Sequence, residues 1–171
     1  MKWEVALAKW RKDRNLSLLQ PNYIDMMQEE RQELLDAITW DERVDAICDQ
    51  LVLTENAIEQ TRPLLSSHYA HSEFADSPTL PSLLAQYVGD QPDDDFDVLL
   101  AIKQQLLSDL TDLGVVPDLA LKQTVKHISS RIQCSIQSAE WAQSGPVGKW
   151  QKSRSQDPES IYQPNYKLCK Q

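Results

Sequence analysis

The chain has little of the residue type that most often interrupts regular structure, because only four of its 171 residues are glycine. Alternation of β-branched and polar residues is nearly absent as well, whereas apolar residues recur at helical spacing along most of the chain. This periodicity is typical of amphipathic helices and not of strands. The sequence therefore predicts an all-α fold, a helical bundle.

Long apolar runs and paired cysteines are missing too. No stretch reaches the roughly 20 apolar residues that a membrane-spanning helix needs, and the N-terminal residues do not resemble a secretion signal. Cys48, Cys134 and Cys169 are far apart and form no CxxC pair, which argues against a disulfide framework or a structural zinc site. We expect a cytoplasmic protein without membrane association.

Other chemical signatures are also absent. The chain contains no P-loop and no GxGxxG motif. His68, His71 and His127 do not show the spacing of zinc ligands, and we expect them at the surface or in linkers.

Negative charge is abundant but unevenly distributed. The net charge is −9, yet residues 145–171 contain five basic and two acidic side chains, which leaves −12 on residues 1–144. Such an acidic body would repel a phosphate backbone, so we expect no direct nucleic-acid binding. The basic end of the chain requires its own explanation.

The periodic segments predict five helices. Their approximate ranges are 3–14, 22–38, 40–61, 96–113 and 117–144. Thr39 and Glu42 have the spacing of a capping box at the start of the third helix, Pro63 is predicted to end it, and Gly114 to close the fourth. We interpret residues 1–144 as a core with a loop or insertion at 66–95, followed by an extended basic arm at 145–171.

Two acidic motifs lie close together near the start of the chain. On a helix, Glu30 and Glu33 share one face, and so do Glu42, Asp45 and Asp49. A connection of a few residues makes the two predicted helices antiparallel, so these faces meet. Carboxylates facing one another repel unless a cation lies between them, which predicts a site for Mg²⁺ or a similar ion. The alternative is that the acidic residues form solvated helix faces, with Glu42 serving only as a cap.

The segment EERQELLDAITWDERVDAICDQL resembles the signature of the MazG-like all-α nucleoside triphosphate pyrophosphohydrolases, in particular their phage-type members. That family has an EExxE motif on one helix and an ExxD motif on the next, often followed by a further aspartate. The resemblance implies that Glu30, Glu33, Glu42 and Asp45 bind Mg²⁺ or Mn²⁺, with Asp49 as the additional aspartate.

The end of the chain resembles the same family more loosely. The stretch from Gly148 to Lys152 and the proline-containing tail after it are similar to the ends of phage-type members, and Ser130-Arg131 resembles the end of their last core helix, without the usual asparagine. Lys149, Lys152 and Arg131 would then bind the triphosphate as positive charges.

The implied activity is hydrolysis of a (deoxy)nucleoside triphosphate between its α- and β-phosphates, giving a monophosphate and pyrophosphate. Glu33 or Asp49 could accept the proton of the attacking water. The resemblance also implies a homodimer or homotetramer, located in the host cytoplasm if the chain is phage-encoded. A purine nucleotide such as dGTP or GTP is the expected substrate, and dUTP, dCTP and non-standard nucleotides are the alternatives.

Two readings of a different class stay open. The chain could be a non-catalytic helical interaction module that docks a partner on its acidic face, or a scaffold that binds nucleotides as a sensor. Specific Mn²⁺ binding separates an enzyme from a module, and pyrophosphate release separates an enzyme from a sensor.

Overall fold

The computed structural model describes residues 2–13, 23–65, 95–130 and 161–171, and within these ranges the chain is helical. The helices are α1 (Trp3–Asp13), α2 (Tyr23–Asp36), α3 (Trp40–Leu65), α4 (Asp95–Asp112) and α5 (Pro117–Ser130), followed by a short 3-10 helix (Tyr166–Cys169). The described part contains no strand beyond one isolated bridge between Val115 and Lys170. The predicted all-α bundle is confirmed.

Helix α3 is the centre of the bundle, because it packs against α2, α4, α5 and the 3-10 helix. Its buried side chains meet those of α4 in a continuous apolar core. Fully buried members of that core are Leu7, Met27, Leu51, Ile58, Leu99, Ile102, Leu106, Leu110 and Leu121. Each such side chain stabilises the fold by about 1.5–3 kcal/mol relative to an exposed position.

Helices α2 and α3 form a hairpin, since only residues 37–39 separate them. They pack closely against each other, and the side-chain amide of Gln50 donates to the backbone carbonyl of Glu30 at 3.3 Å. Gln50 is fully buried. The antiparallel arrangement predicted for the two acidic segments is therefore present.

The helix ends follow local signals in most places. Gly114 has a φ of 73°, its N–H donates to the carbonyl of Thr111 at 2.9 Å, and Val115 donates to the carbonyl of Leu110 at 3.0 Å. These two bonds form the Schellman arrangement that ends α4 as predicted. Helix α3, by contrast, does not end at Pro63 but continues to Leu65. Proline removes one N–H from a helix, and in the final turn that loss need not stop it at once.

The last residues of the chain pack onto the bundle. The N–H of Val116 donates to the carbonyl of Cys169 at 2.8 Å, and the N–H of Gln171 donates to the carbonyl of Gly114 at 2.9 Å. Tyr166 and Cys169 are buried. This part of the predicted arm is thus attached to the turn between α4 and α5. Residues 131–160 and 66–94 lie outside the described residues, and Asp95, the last residue of the insertion predicted at 66–95, is the first residue of α4.

The prediction for His127 is wrong, because this side chain is buried. Its Nδ1 is hydrogen-bonded to the backbone carbonyl of Tyr162, and the N–H of Tyr162 donates to the hydroxyl of Ser130 at 2.8 Å. The C-terminal segment therefore covers the face of α5 that carries His127. His68 and His71 lie outside the described residues. No described helix combines the length and the apolar character that crossing a membrane requires.

Candidate functional site

The turn between α2 and α3 is closed by the predicted capping box. The hydroxyl of Thr39 accepts from the N–H of Glu42 at 3.2 Å, and Oε2 of Glu42 accepts from the N–H groups of Thr39 at 2.8 Å and Ile38 at 2.9 Å. These bonds from the backbone of Thr39 and Ile38 lower the pKa of Glu42 below its usual value. Glu42 is therefore an ionised, exposed carboxylate that is already used at the helix N-terminus.

The acidic residues of α2 differ strongly in burial. Glu30 is only 6% exposed and faces α3, where Gln50 bonds to its backbone carbonyl. Glu29 is partly buried, and Glu33, one turn further on, is exposed. Glu30 is thus the motif residue that the helix pair encloses, and a buried carboxylate is costly unless polar or charged groups surround it.

Asp45 on the first turns of α3 has a partner from the far end of the chain. The hydroxyl of Tyr166 donates to Oδ1 of Asp45 at 2.6 Å, and the hydroxyl of Thr124 on α5 lies 2.9 Å from the same tyrosine oxygen. Tyr166 is 4% exposed, whereas Asp45 is exposed. Burial, reinforced by the nearby carboxylate of Asp45, raises the pKa of Tyr166, so its hydroxyl keeps its proton.

Cys48 and Asp49 follow on the same helix. The Cys48 side chain is completely buried, and burial raises the pKa of its thiol well above the usual value, although the nearby Thr124 hydroxyl opposes the shift. Asp49, the additional aspartate of the second motif, is partly buried. A thiol in this environment is protonated, which makes it a poor nucleophile and a poor metal ligand.

Basic side chains of the C-terminal segment lie beside the acidic start of α3. Nζ of Lys170 is 4.4 Å from the centroid of the Trp40 ring, and Nζ of Lys167 is 3.7 Å from Oδ2 of Asp41. The indole N–H of Trp40 donates to the carbonyl of Leu113 at 3.1 Å. Part of the positive charge of the chain end is therefore used to dock that end on the bundle.

A second polar cluster lies where α1, α3 and α4 meet, away from the acidic hairpin. A guanidinium N–H of the buried Arg11 donates to the side-chain oxygen of Asn56, and Nζ of Lys103 is 2.7 Å from Glu55 and 3.5 Å from Glu4. Desolvation lowers the pKa of Arg11, partly opposed by nearby charges that include Glu55. The sequence offered no local signal for this cluster, because its members come from separate segments.

The predicted site residues are only partly brought together. The helix pair carries all five predicted carboxylates, with Glu30 buried, Asp49 partly buried, and the other three, Glu33, Glu42 and Asp45, exposed. In the part of the chain that the structure describes, no three histidine, cysteine, aspartate or glutamate side chains are grouped closely enough to hold a metal ion. The predicted phosphate-binding residues Arg131, Lys149 and Lys152 lie outside the described residues.

The chemistry of the donor set nevertheless fits a hard divalent cation, because all its members are carboxylates on one hairpin. Glu33, Glu42 and Asp45 are exposed, so their side chains are accessible to an ion, and Asp45 is held by its Oδ1 bond to Tyr166. Glu42 would have to share its carboxylate between the capping box and that ion.

Sequence reasoning missed Tyr166, the residue that bonds to Asp45. It belongs to the proline-containing tail that resembles the ends of phage-type members, but nothing in the sequence assigned it a contact or a role. Comparison of the chain with protein-family models, with curated proteins and with solved structures gives no match.

Proposed function

We propose that this chain is a metal-dependent pyrophosphohydrolase of (deoxy)nucleoside triphosphates that releases pyrophosphate and a monophosphate. The observation that carries the proposal is the pairing of two acidic motifs on the α2–α3 hairpin, with Glu30 buried between the helices. Burying a carboxylate costs free energy, and a cation bound beside Glu30 would offset part of that cost.

In this proposal Glu30, Glu33, Glu42 and Asp45 hold Mg²⁺ or Mn²⁺. When bound, the ion would neutralise phosphate charge and make water a stronger nucleophile. Glu33 or Asp49 would accept the proton that the attacking water loses, as neighbouring carboxylates can do. Arg131, Lys149 and Lys152 would contact the phosphates, and their positive charge would attract the triphosphate to an otherwise acidic protein.

The direct test measures pyrophosphate released from a panel of nucleoside triphosphates with Mg²⁺ or Mn²⁺. We expect dGTP or GTP to be the best substrate, and dUTP, dCTP and non-standard nucleotides belong in the same panel. Asp45→Asn should abolish release because it removes a negative ligand while keeping an acceptor for Tyr166. Asp36→Asn is the matched control, since Asp36 lies on α2 outside the motif and bonds to Gln32 at 3.0 Å. Normal release by the Asp45 variant would overturn the assignment.

A non-catalytic interaction module is the second candidate, and the capping role of Glu42 favours it. A carboxylate that only caps α3 needs no cation. Mn²⁺ titration of the intact chain separates the candidates, because a saturable site supports the enzyme, whereas no binding together with no pyrophosphate release supports the module.

Assembly into a homodimer or homotetramer is part of the proposal. Ile38 at the hairpin bend is 87% exposed, and Leu35 one turn before it is 62% exposed. Apolar side chains exposed at one place favour burial against another molecule. Light scattering on the purified chain tests this directly, and a monomer at all concentrations would contradict it.

A further inference from the structure

The hydrogen bond from Tyr166 to Asp45 joins a buried hydroxyl to an exposed carboxylate, an arrangement that can fix the orientation of the carboxylate. The buried tyrosine oxygen lies 2.6 Å from Oδ1 of Asp45, a short distance that is typical of a hydroxyl donating to an ionised carboxylate. The tyrosine has one proton, which this bond uses. Thr124 is therefore the donor in its own 2.9 Å bond to Tyr166, a shorter contact than its 3.3 Å distance to the carbonyl of Ala120.

The three residues form a directed chain of hydrogen bonds from the interior to the surface. Thr124 is 1% exposed and Tyr166 is 4% exposed, and both are fixed by packing between α3, α5 and the 3-10 helix. Asp45 is exposed, so without this support its carboxylate would sample several rotamers. Hydrogen bonds in such a chain strengthen one another, which makes the orientation of Asp45 better defined.

We propose that Tyr166 is a positioning residue for Asp45, which it holds by Oδ1 so that the second carboxylate oxygen is presented to a divalent cation on the acidic hairpin. This inference rests on the proposed metal-dependent activity and adds to it a role for the C-terminal segment. Residues that orient a metal ligand through a hydrogen bond commonly change metal affinity or activity by about 10–100-fold when they are replaced.

A purely structural role for the tyrosine predicts a different result. A phenol that only fills space between α3 and α5 is replaced by phenylalanine with a change in stability but none in metal affinity. Tyr166 is buried, so Tyr166→Phe keeps the packing of the ring and removes the hydroxyl's bonds to Asp45 and Thr124. Metal affinity therefore distinguishes positioning from packing.

The chain offers a matched control on the same segment. The hydroxyl of Tyr162 donates to the side-chain oxygen of Gln123 on α5, and its ring lies 3.8 Å from Nζ of Lys126. Tyr162→Phe therefore also removes one tyrosine hydroxyl bond between the C-terminal segment and α5, but one that involves no predicted ligand. Thr124→Val provides a second way to weaken the Asp45 support if Tyr166→Phe does not fold.

The experiment titrates Mn²⁺ into the intact chain and its variants by electron paramagnetic resonance, and measures pyrophosphate release against Mn²⁺ concentration. We expect Tyr166→Phe to weaken Mn²⁺ binding by about 10-fold or more, with activity restored at high Mn²⁺. Thr124→Val should also weaken Mn²⁺ binding, and Tyr162→Phe should bind Mn²⁺ as tightly as the unchanged chain does.

The outcomes separate this inference from the proposed function. If the unchanged chain binds Mn²⁺ and releases pyrophosphate while Tyr166→Phe behaves identically, the positioning role is wrong and the proposed activity stands. A loss of activity in Tyr166→Phe with unaltered Mn²⁺ dependence would also overturn the positioning role. If the unchanged chain neither binds Mn²⁺ nor releases pyrophosphate, the proposed function fails and the positioning role fails with it.

Discussion

The ammonium group of Lys170 lies over the ring of Trp40, with its nitrogen 4.4 Å from the ring centroid. The contact joins the penultimate residue of the chain to the first residue of α3. Trp40 is fixed from another side by its indole bond to the carbonyl of Leu113. The start of the acidic helix, the end of α4 and the end of the chain therefore meet at one indole ring.

Removing the Lys170 ammonium should weaken this junction. We expect Lys170→Met to lower the free energy of unfolding by about 0.5–1 kcal/mol, the usual size of a cation–π contact at an exposed site. Lys167→Met is the matched control, because it removes the same charge from the same segment without touching the Trp40 ring. Lys167 is highly exposed, and its 3.7 Å contact with Asp41 is a surface ion pair worth about 0–1 kcal/mol. Urea unfolding followed by Trp fluorescence measures both. Equal losses in the two variants would mean that the ring contact contributes nothing specific.

The sequence was sufficient wherever the deciding interactions are local. Apolar periodicity predicted the five α-helices of the described residues, the spacing of Thr39 and Glu42 predicted the capping box, and Gly114 predicted the end of α4. Each of these features depends on residues within about one helical turn of one another, so their physical cause can be read in a short stretch of sequence.

The interactions that the sequence did not predict are long-range. Tyr166 and Asp45 are 121 residues apart, and Arg11 and Asn56 are 45 apart. No periodicity connects such pairs, because their contact depends on how the helices pack. Burial of His127 has the same origin, since it follows from the C-terminal segment lying on α5. For the acidic hairpin, the sequence predicted which carboxylates share the two helices and that Glu42 caps α3, but not that Glu30 would be buried while Glu33 is exposed.

The capping box offers a way to separate the structural and the proposed metal-binding roles of Glu42. Thr39→Ala removes the hydroxyl that accepts from the N–H of Glu42, and should lower the free energy of unfolding by about 0.5–2 kcal/mol without reducing Mn²⁺ binding. Glu42→Gln keeps an oxygen that can accept from Thr39 and Ile38, because glutamine also serves at this position of a capping box. It loses the negative charge, so we expect near-normal stability, weaker Mn²⁺ binding and no pyrophosphate release.

Stability and Mn²⁺ affinity should therefore change independently in these two variants. Thermal unfolding and Mn²⁺ titration of the same preparations provide the two measurements. A Glu42→Gln variant that binds Mn²⁺ as tightly as the unchanged chain would show that Glu42 only caps α3, and would remove it from the proposed ligand set.

We expect the protein to lose stability at alkaline pH because the buried phenol of Tyr23 would ionise. Burial raises its pKa from 10.0 to about 12, although the nearby charge of Arg11 opposes the shift. Below pH 10 the phenol is protonated in both the folded and the unfolded chain. Between pH 10 and about pH 12 it is ionised in the unfolded chain but still largely protonated in the folded chain. Stability contributed by the neutral phenol is therefore lost as pH rises from about 10 to about 12.

The measurement compares urea unfolding of the unchanged chain and Tyr23→Phe at pH 9 and pH 11. The unchanged chain should lose about 1–1.5 kcal/mol more than the variant over this interval, because one pKa unit corresponds to about 1.4 kcal/mol. Since both proteins share every other titrating group, the difference isolates Tyr23. Parallel losses in the two proteins would show that the phenol of Tyr23 titrates at the same pH in the folded and unfolded states.

Cys48 and Cys169 report on how the C-terminal segment is attached. Both side chains are buried, and burial raises the pKa of each thiol, so neither should react with a disulfide reagent until the structure opens. Labelling of Cys169 requires only that the C-terminal segment be released from Gly114 and Val116. Labelling of Cys48 requires the bundle to open, because Cys48 lies in the central helix α3. In a chain with Cys134→Ser, we expect Cys169 to be labelled well before Cys48 under native conditions. Lys170→Met should accelerate labelling of Cys169 without affecting Cys48. Mass spectrometry of timed samples measures both rates, and equal rates would mean that the segment and the bundle open as one cooperative unit.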